Sequence, residues 1–216
     1  MVTTLLIVNN STLITDEALK PIVWAIQRQV SEHLYPAWGV NASLVAAVKG
    51  DYPSSAKIFV VDASTDAGAL GEHFWKGAPT GFAAVKDAQD DGVPPSSVIS
   101  HEVLELLVDP EIIRLMQVGD VVVPLEVCDA VEGAPYSIDG VDVENFVLPS
   151  YYVAGATAPF DHEGVLKSGA PSLMPGGYCY SAPIGQWTQQ NAERVRAAKR
   201  APAPAWSRRG RRGARR

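Results

Sequence analysis

Ser100-His101-Glu102-Val103-Leu104-Glu105-Leu106-Leu107-Val108-Asp109-Pro110 is the stretch that decides how this chain is read. On a helix, residues four apart lie on one face, one turn above the other. His101 and Glu105 therefore point at a common place and can hold one cation between them. Glu102 stands beside them, while Val103, Leu104, Leu106 and Leu107 supply core-forming side chains. Ionisable groups on so apolar a helix are costly unless a metal or hydrogen bonds satisfy them.

Working outward, Pro94 and Pro95 release the chain into this helix, expected over residues 97–108. Upstream, Thr4-Leu5-Leu6-Ile7-Val8 predicts a buried strand. A long helix then runs from Thr15 to Tyr35, with Thr15 or Asp16 as its cap. Leu19, Ile22, Val23, Ile26, Val30 and Leu34 form its apolar stripe, and Pro36 and Gly39 end it. Residues 42–48 and 57–62 are strand candidates. A glycine-bearing stretch from Gly68 to Gly81 leads to Phe82-Ala83-Ala84-Val85-Lys86, expected as an edge strand, and a loop follows at 90–95. Downstream, residues 121–128 and 141–147 are expected strands, and Asp139-Gly140 marks a hairpin turn between them.

The strand and helix order and the quoted helix resemble the zincin metallopeptidases. Glu105 stands where the zinc motif H-E-x-x-H has its second histidine. Within that group the H-E-x-x-E-x-x-x-D-P form is similar to uncharacterised proteins of phages and bacteria. The resemblance covers roughly residues 1–180, and its specific part is the helix. It implies an α+β fold: a twisted mixed sheet with an antiparallel edge strand, a long N-terminal helix, an active-site helix and a loop-rich C-terminal part. It also implies zinc held by His101 and Glu105, with Glu102 as the catalytic base that takes a proton from the attacking water, and a peptide or protein as substrate. Glutamate is a legitimate zinc ligand, but it adds negative charge and shifts preference toward harder cations such as calcium or manganese.

A third ligand is required. Asp109 is the first candidate, yet eight residues of unbroken helix would carry it about 12 Å along the axis from His101. It joins the site only if the helix stops near Leu107 and the chain folds back, which Pro110 favours. Asp129 and Glu132, on the loop after an expected strand, are the next candidates. His33 and His73 read as surface or packing residues, and His162 lies in a polar loop. Met174, in a Gly-Pro loop, resembles the methionine turn of metzincins, and Tyr178 or Tyr180 could steady an oxyanion.

Bulk properties bound the rest. The 216 residues suit one domain, expected over 1–190, plus a tail. Residues 1–190 carry 8 basic against 23 acidic side chains, and residues 191–216 carry 10 against one. An acidic body and a basic, disordered tail are expected. Its end, Arg208-Arg209-Gly210-Arg211-Arg212-Gly213-Ala214-Arg215-Arg216, suits nucleic acid or an acidic protein surface. No segment reaches the length of a membrane span, and the N-terminus reads as a strand rather than a signal peptide. A cytoplasmic or virion-associated protein is expected. Cys128 and Cys179 are too few for a disulfide framework and are expected as free thiols. No G-x-S-x-G elbow marks a serine hydrolase. The competing expectation is a non-catalytic zincin-like structural or assembly protein of a virus particle.

Overall fold

The computed structural model describes residues 2–65 and 69–184, and the basic tail with its expected contacts lies outside them. The chain is α+β with a mixed sheet and few helices, and the described residues form two compact units. The first takes in 2–65, 69–112 and 135–144, and the second 113–134 and 145–184.

The first unit is built on five strands: β1 (Thr4–Asn9), β2 (Ser43–Ala47), β3 (Lys57–Val61), β4 (Gly71–Trp75) and β5 (Pro79–Ala84). They lie in the order β2-β1-β3-β5-β4, all parallel except β4, which runs antiparallel to β5. An antiparallel edge strand was expected, but on the wrong residues. Phe82 to Ala84 belong to β5, inside the sheet, and Val85 and Lys86 open a short helix, α3 (Val85–Asp90). The edge strand is β4, within the stretch set aside for its glycines. Those glycines have a packing reason. A Cβ at Gly81 would lie 2.6 Å from Ile58 Cδ1 and 2.9 Å from the Glu72 carbonyl oxygen.

Between β1 and β2 runs α1 (Asp16–Arg28), capped by the Thr15 hydroxyl, which accepts from the Ala18 N–H at 3.1 Å. The helical path continues through a π segment, Gln29–Leu34, and the short α2 (Tyr35–Trp38), and stops at Gly39 in left-handed conformation, φ 67°. Gly39 is the αL terminator that the sequence signalled. The apolar stripe holds through the wider turn: Leu19, Ile26, Val30 and Leu34 are all buried. With Leu5, Ile7, Ile58 and Val60 they make the core, each contributing about 1.5–3 kcal/mol of transfer free energy.

The crossing from β3 is tied to the loop after β1 by one carboxylate. Asp62 accepts from Ser11 Oγ at 2.5 Å, from the Thr12 N–H and hydroxyl at 2.6 and 2.8 Å, and from the Leu13 N–H at 3.3 Å. These bonds, Ser11's first, favour the charged form and lower the Asp62 carboxyl from 3.8 to about 2. A depressed carboxyl stabilises the fold above its ordinary pKa and stops doing so as pH falls through its folded value. Asp62→Ala should therefore melt below the parent at neutral pH. The gap should close between pH 3.8 and about 2, as a thermal melt series would record.

The helix that carries the motif is α4 (Pro95–Val108), with Pro95 at its first position, where a missing N–H costs nothing. Every residue from Ser96 to Val108 is buried, the polar Ser96, Ser97, Ser100, His101, Glu102 and Glu105 with the rest. A hairpin, β8 (Tyr136–Ile138) and β9 (Val141–Val143), turns at Asp139-Gly140, φ 51° and 80°. The expected turn is present, but its first strand is β8 and not residues 121–128. Buried Glu144 anchors the hairpin to α4. Its carboxylate accepts from Ser97 Oγ at 2.6 Å, and its N–H donates to Ser100 Oγ at 2.7 Å.

The second unit holds a hairpin of β6 (Leu115–Val118) and β7 (Val121–Pro124), with β10 (Ala182–Pro183) paired to β7. Its loops are fixed by side chains. Asp161 accepts from Asn145 Nδ2 and from the N–H groups of Val165 and Leu166, and the Tyr151 hydroxyl donates to the Ser172 carbonyl. Among the described residues no helix is long and apolar enough to cross a membrane.

Candidate metal centre

Within the first unit, α4 and β4 bring four ionisable side chains together. His101 Nε2 lies 3.4 Å from Glu105 Oε2, as the one-turn spacing requires. His73 Nδ1, from the edge strand, lies 3.5 Å from the same Glu105 oxygen and 3.5 Å from Glu102 Oε2. Glu105 thus has an imidazole on two sides, and His73 spans both carboxylates. All four are buried, His101 the most open at 7%.

His73, read from the sequence as a surface or packing residue, is buried. It is not a surface residue: strand alternation points Gly71 and His73 to one side of β4, against α4, and sets Glu72 and Phe74 on the other. A Cβ at Gly71 would lie 2.5 Å from Glu102 Oε1 and 2.7 Å from its Cγ, so Glu102 rests against bare backbone. Gly71→Ala should cost about 1–3 kcal/mol by overpacking, read from the urea midpoint, because buried Glu102 has little room to retreat.

Asp109 caps α4 outside helical geometry, φ −131° and ψ 72°, and its N–H donates to the Glu105 carbonyl at 2.8 Å. The helix ends as Pro110 requires. Among the described residues, however, the Asp109 carboxylate does not stand with His101 and Glu105 as a third donor for one ion. Asp129 is buried in a 3-10 turn, Asp129–Val131, of the second unit. Buried side chains able to hold a metal ion are present in both units: His73, His101 and Glu105 in the first, Glu126 and Asp129 in the second.

No family model matches the chain, and no curated protein or solved structure is significantly similar to it. The chemistry of the site therefore stands on its own residues. Ligand atoms at 2.0–2.1 Å from a tetrahedral zinc are separated by about 3.3–3.4 Å. The His101–Glu105 separation of 3.4 Å lets both donor atoms reach one metal ion.

The remaining sequence candidates have ordinary structural places. His33 Nδ1 is 2.8 Å from the Tyr136 hydroxyl, and His162 stacks on Phe146 with ring centroids 5.1 Å apart. The Met174 N–H donates to the Ala130 carbonyl, and Tyr178 packs edge-on against Tyr180. Neither cysteine forms a disulfide among the described residues. Burial, and next the charge of Asp129, pushes the Cys179 thiol up to about 12, so it is no nucleophile at neutral pH.

Proposed function

We propose that the chain is a zincin-like, zinc-dependent peptidase in which His101 and Glu105 hold the ion and Glu102 is the general base. The observation that carries this reading is the 3.4 Å spacing of the His101 and Glu105 donor atoms, with a second carboxylate, Glu102, on the adjacent residue. When bound, the ion supplies a Lewis acid that polarises the peptide carbonyl and makes water easier to deprotonate.

The work of the chain's own residues follows from their placement. Glu102 accepts the proton of the attacking water at a carboxylate oxygen and returns it to the leaving amine. His73 is a positioning residue: 3.5 Å from both Glu102 and Glu105, it holds the base and the ligand in one arrangement. Gly71 lets Glu102 sit against the edge strand.

The deciding test is cleavage of an unbiased peptide library by the zinc-loaded protein, compared with Glu102→Gln. Cleavage by the parent that is lost in the variant supports a peptidase. No cleavage by the zinc-loaded parent sinks it.

The burial of all four side chains favours a second reading, in which the ion only stabilises the fold. In that case zinc raises the melting temperature and no peptide is cut.

A further inference from the structure

The opposite side of β4 meets a cavity of about 490 Å³ that the metal chemistry does not use. Its walls follow from strand alternation. Ile58 and Val60 point into the core, so Lys57, Phe59 and Val61 point the other way, as Phe74 does on β4. Phe59, Phe74 and Phe82 line it with three aromatic rings.

Its polar groups stand at two ends. At one end Lys57 is only 5% exposed, and its ammonium donates to the Tyr52 and Ser55 carbonyls at 2.9 and 3.1 Å. Those bonds use two of its three protons. Lys57 forms no ion pair among the described residues. Lys76 and Asp51 line the same end, which leaves it a net charge of +1. At the other end is Asn10, whose N–H donates to the Val60 carbonyl and whose buried Oδ1 has no hydrogen-bond partner among the described residues. Lys57 and Val60 are three residues apart on β3, about 10 Å.

A cavity of this size, mostly apolar and carrying a few placed polar groups, has the character of a small-molecule site. We infer that it binds a small aromatic carboxylate. The ring lies among the three phenylalanines, and the carboxylate meets the Lys57 and Lys76 end. An anion there offsets the cost of a buried ammonium beside aromatic rings. Burial already pushes the Lys57 ammonium below the ordinary lysine range, against the opposing pull of Asp51. The inference is independent of the metal site.

Calorimetric titration of the full chain with indole-3-butyrate, and with its neutral amide, tests it. The two probes share size and ring, and the amide lacks the negative charge. The carboxylate should bind one to one and the amide at least about tenfold more weakly. Lys57→Met should bring the carboxylate down to the amide's level, and Lys76→Met should weaken it in part. Glu102→Gln should bind as the parent does. Lys76 is exposed, so its variant and the amide comparison decide the matter even if Lys57→Met does not fold. Equal binding of the two probes, no saturable binding of the carboxylate, or parent-like binding by both lysine variants would overturn the proposal.

Discussion

On the proposed reading, zinc affinity should fall about 100-fold when Glu105 becomes glutamine and should be kept when it becomes histidine. The two substitutions separate a ligand from a hydrogen-bond acceptor. A glutamine oxygen still accepts from His73 or His101 across 3.4–3.5 Å, so a merely structural Glu105 would tolerate that change. A neutral amide oxygen is a poor zinc ligand, whereas an imidazole is a good one. Histidine at 105 also removes one negative charge and brings the helix to the H-E-x-x-H pattern. Competition with a zinc-binding dye measures both affinities. Equal affinity in parent and Glu105→Gln would show that Glu105 is not a ligand.

Glu102→Gln is the second large effect. If Glu102 is the base, the variant loses about 10²- to 10⁴-fold in kcat, the usual contribution of a positioned proton acceptor. Zinc stoichiometry should stay at the parent's value, because His101 and Glu105 are untouched. The fold should survive, since glutamine fills the same space against Gly71. The separation matters more than the size of the loss. A variant that loses zinc and turnover together makes Glu102 a ligand, and one that loses neither removes it from the chemistry.

The fold was legible where local signals agree with tertiary packing. Pro95 and Pro110 bracket α4, and its apolar content declares burial, so helix and motif are found within two residues of the expected start. Thr15 caps α1 as read, while the π segment at Gln29–Leu34 is hidden because the apolar stripe runs through it unbroken. β4 was missed for a physical reason. Gly71 and Gly81 look like loop residues, yet each is small because Glu102 or Ile58 approaches the backbone there. With β4 went His73, which joins the side chains of the helix from the edge strand. Its signal was weak: neither Gly71, His73 and Trp75 nor Glu72 and Phe74 make an apolar face that would mark a strand. Asp109 shows the limit of motif reading. The Asp-Pro pair predicts where the helix stops, and the carboxylate after the stop goes where the capping geometry takes it.

The most direct test of a zinc site at His101 and Glu105 is the metal content of the purified full chain, measured by elemental mass spectrometry beside His101→Ala. The account predicts one zinc per chain in the parent and loss of that zinc in the variant. A parent that stays metal-free after zinc is supplied, or a His101→Ala protein that keeps the parent's stoichiometry, would contradict it.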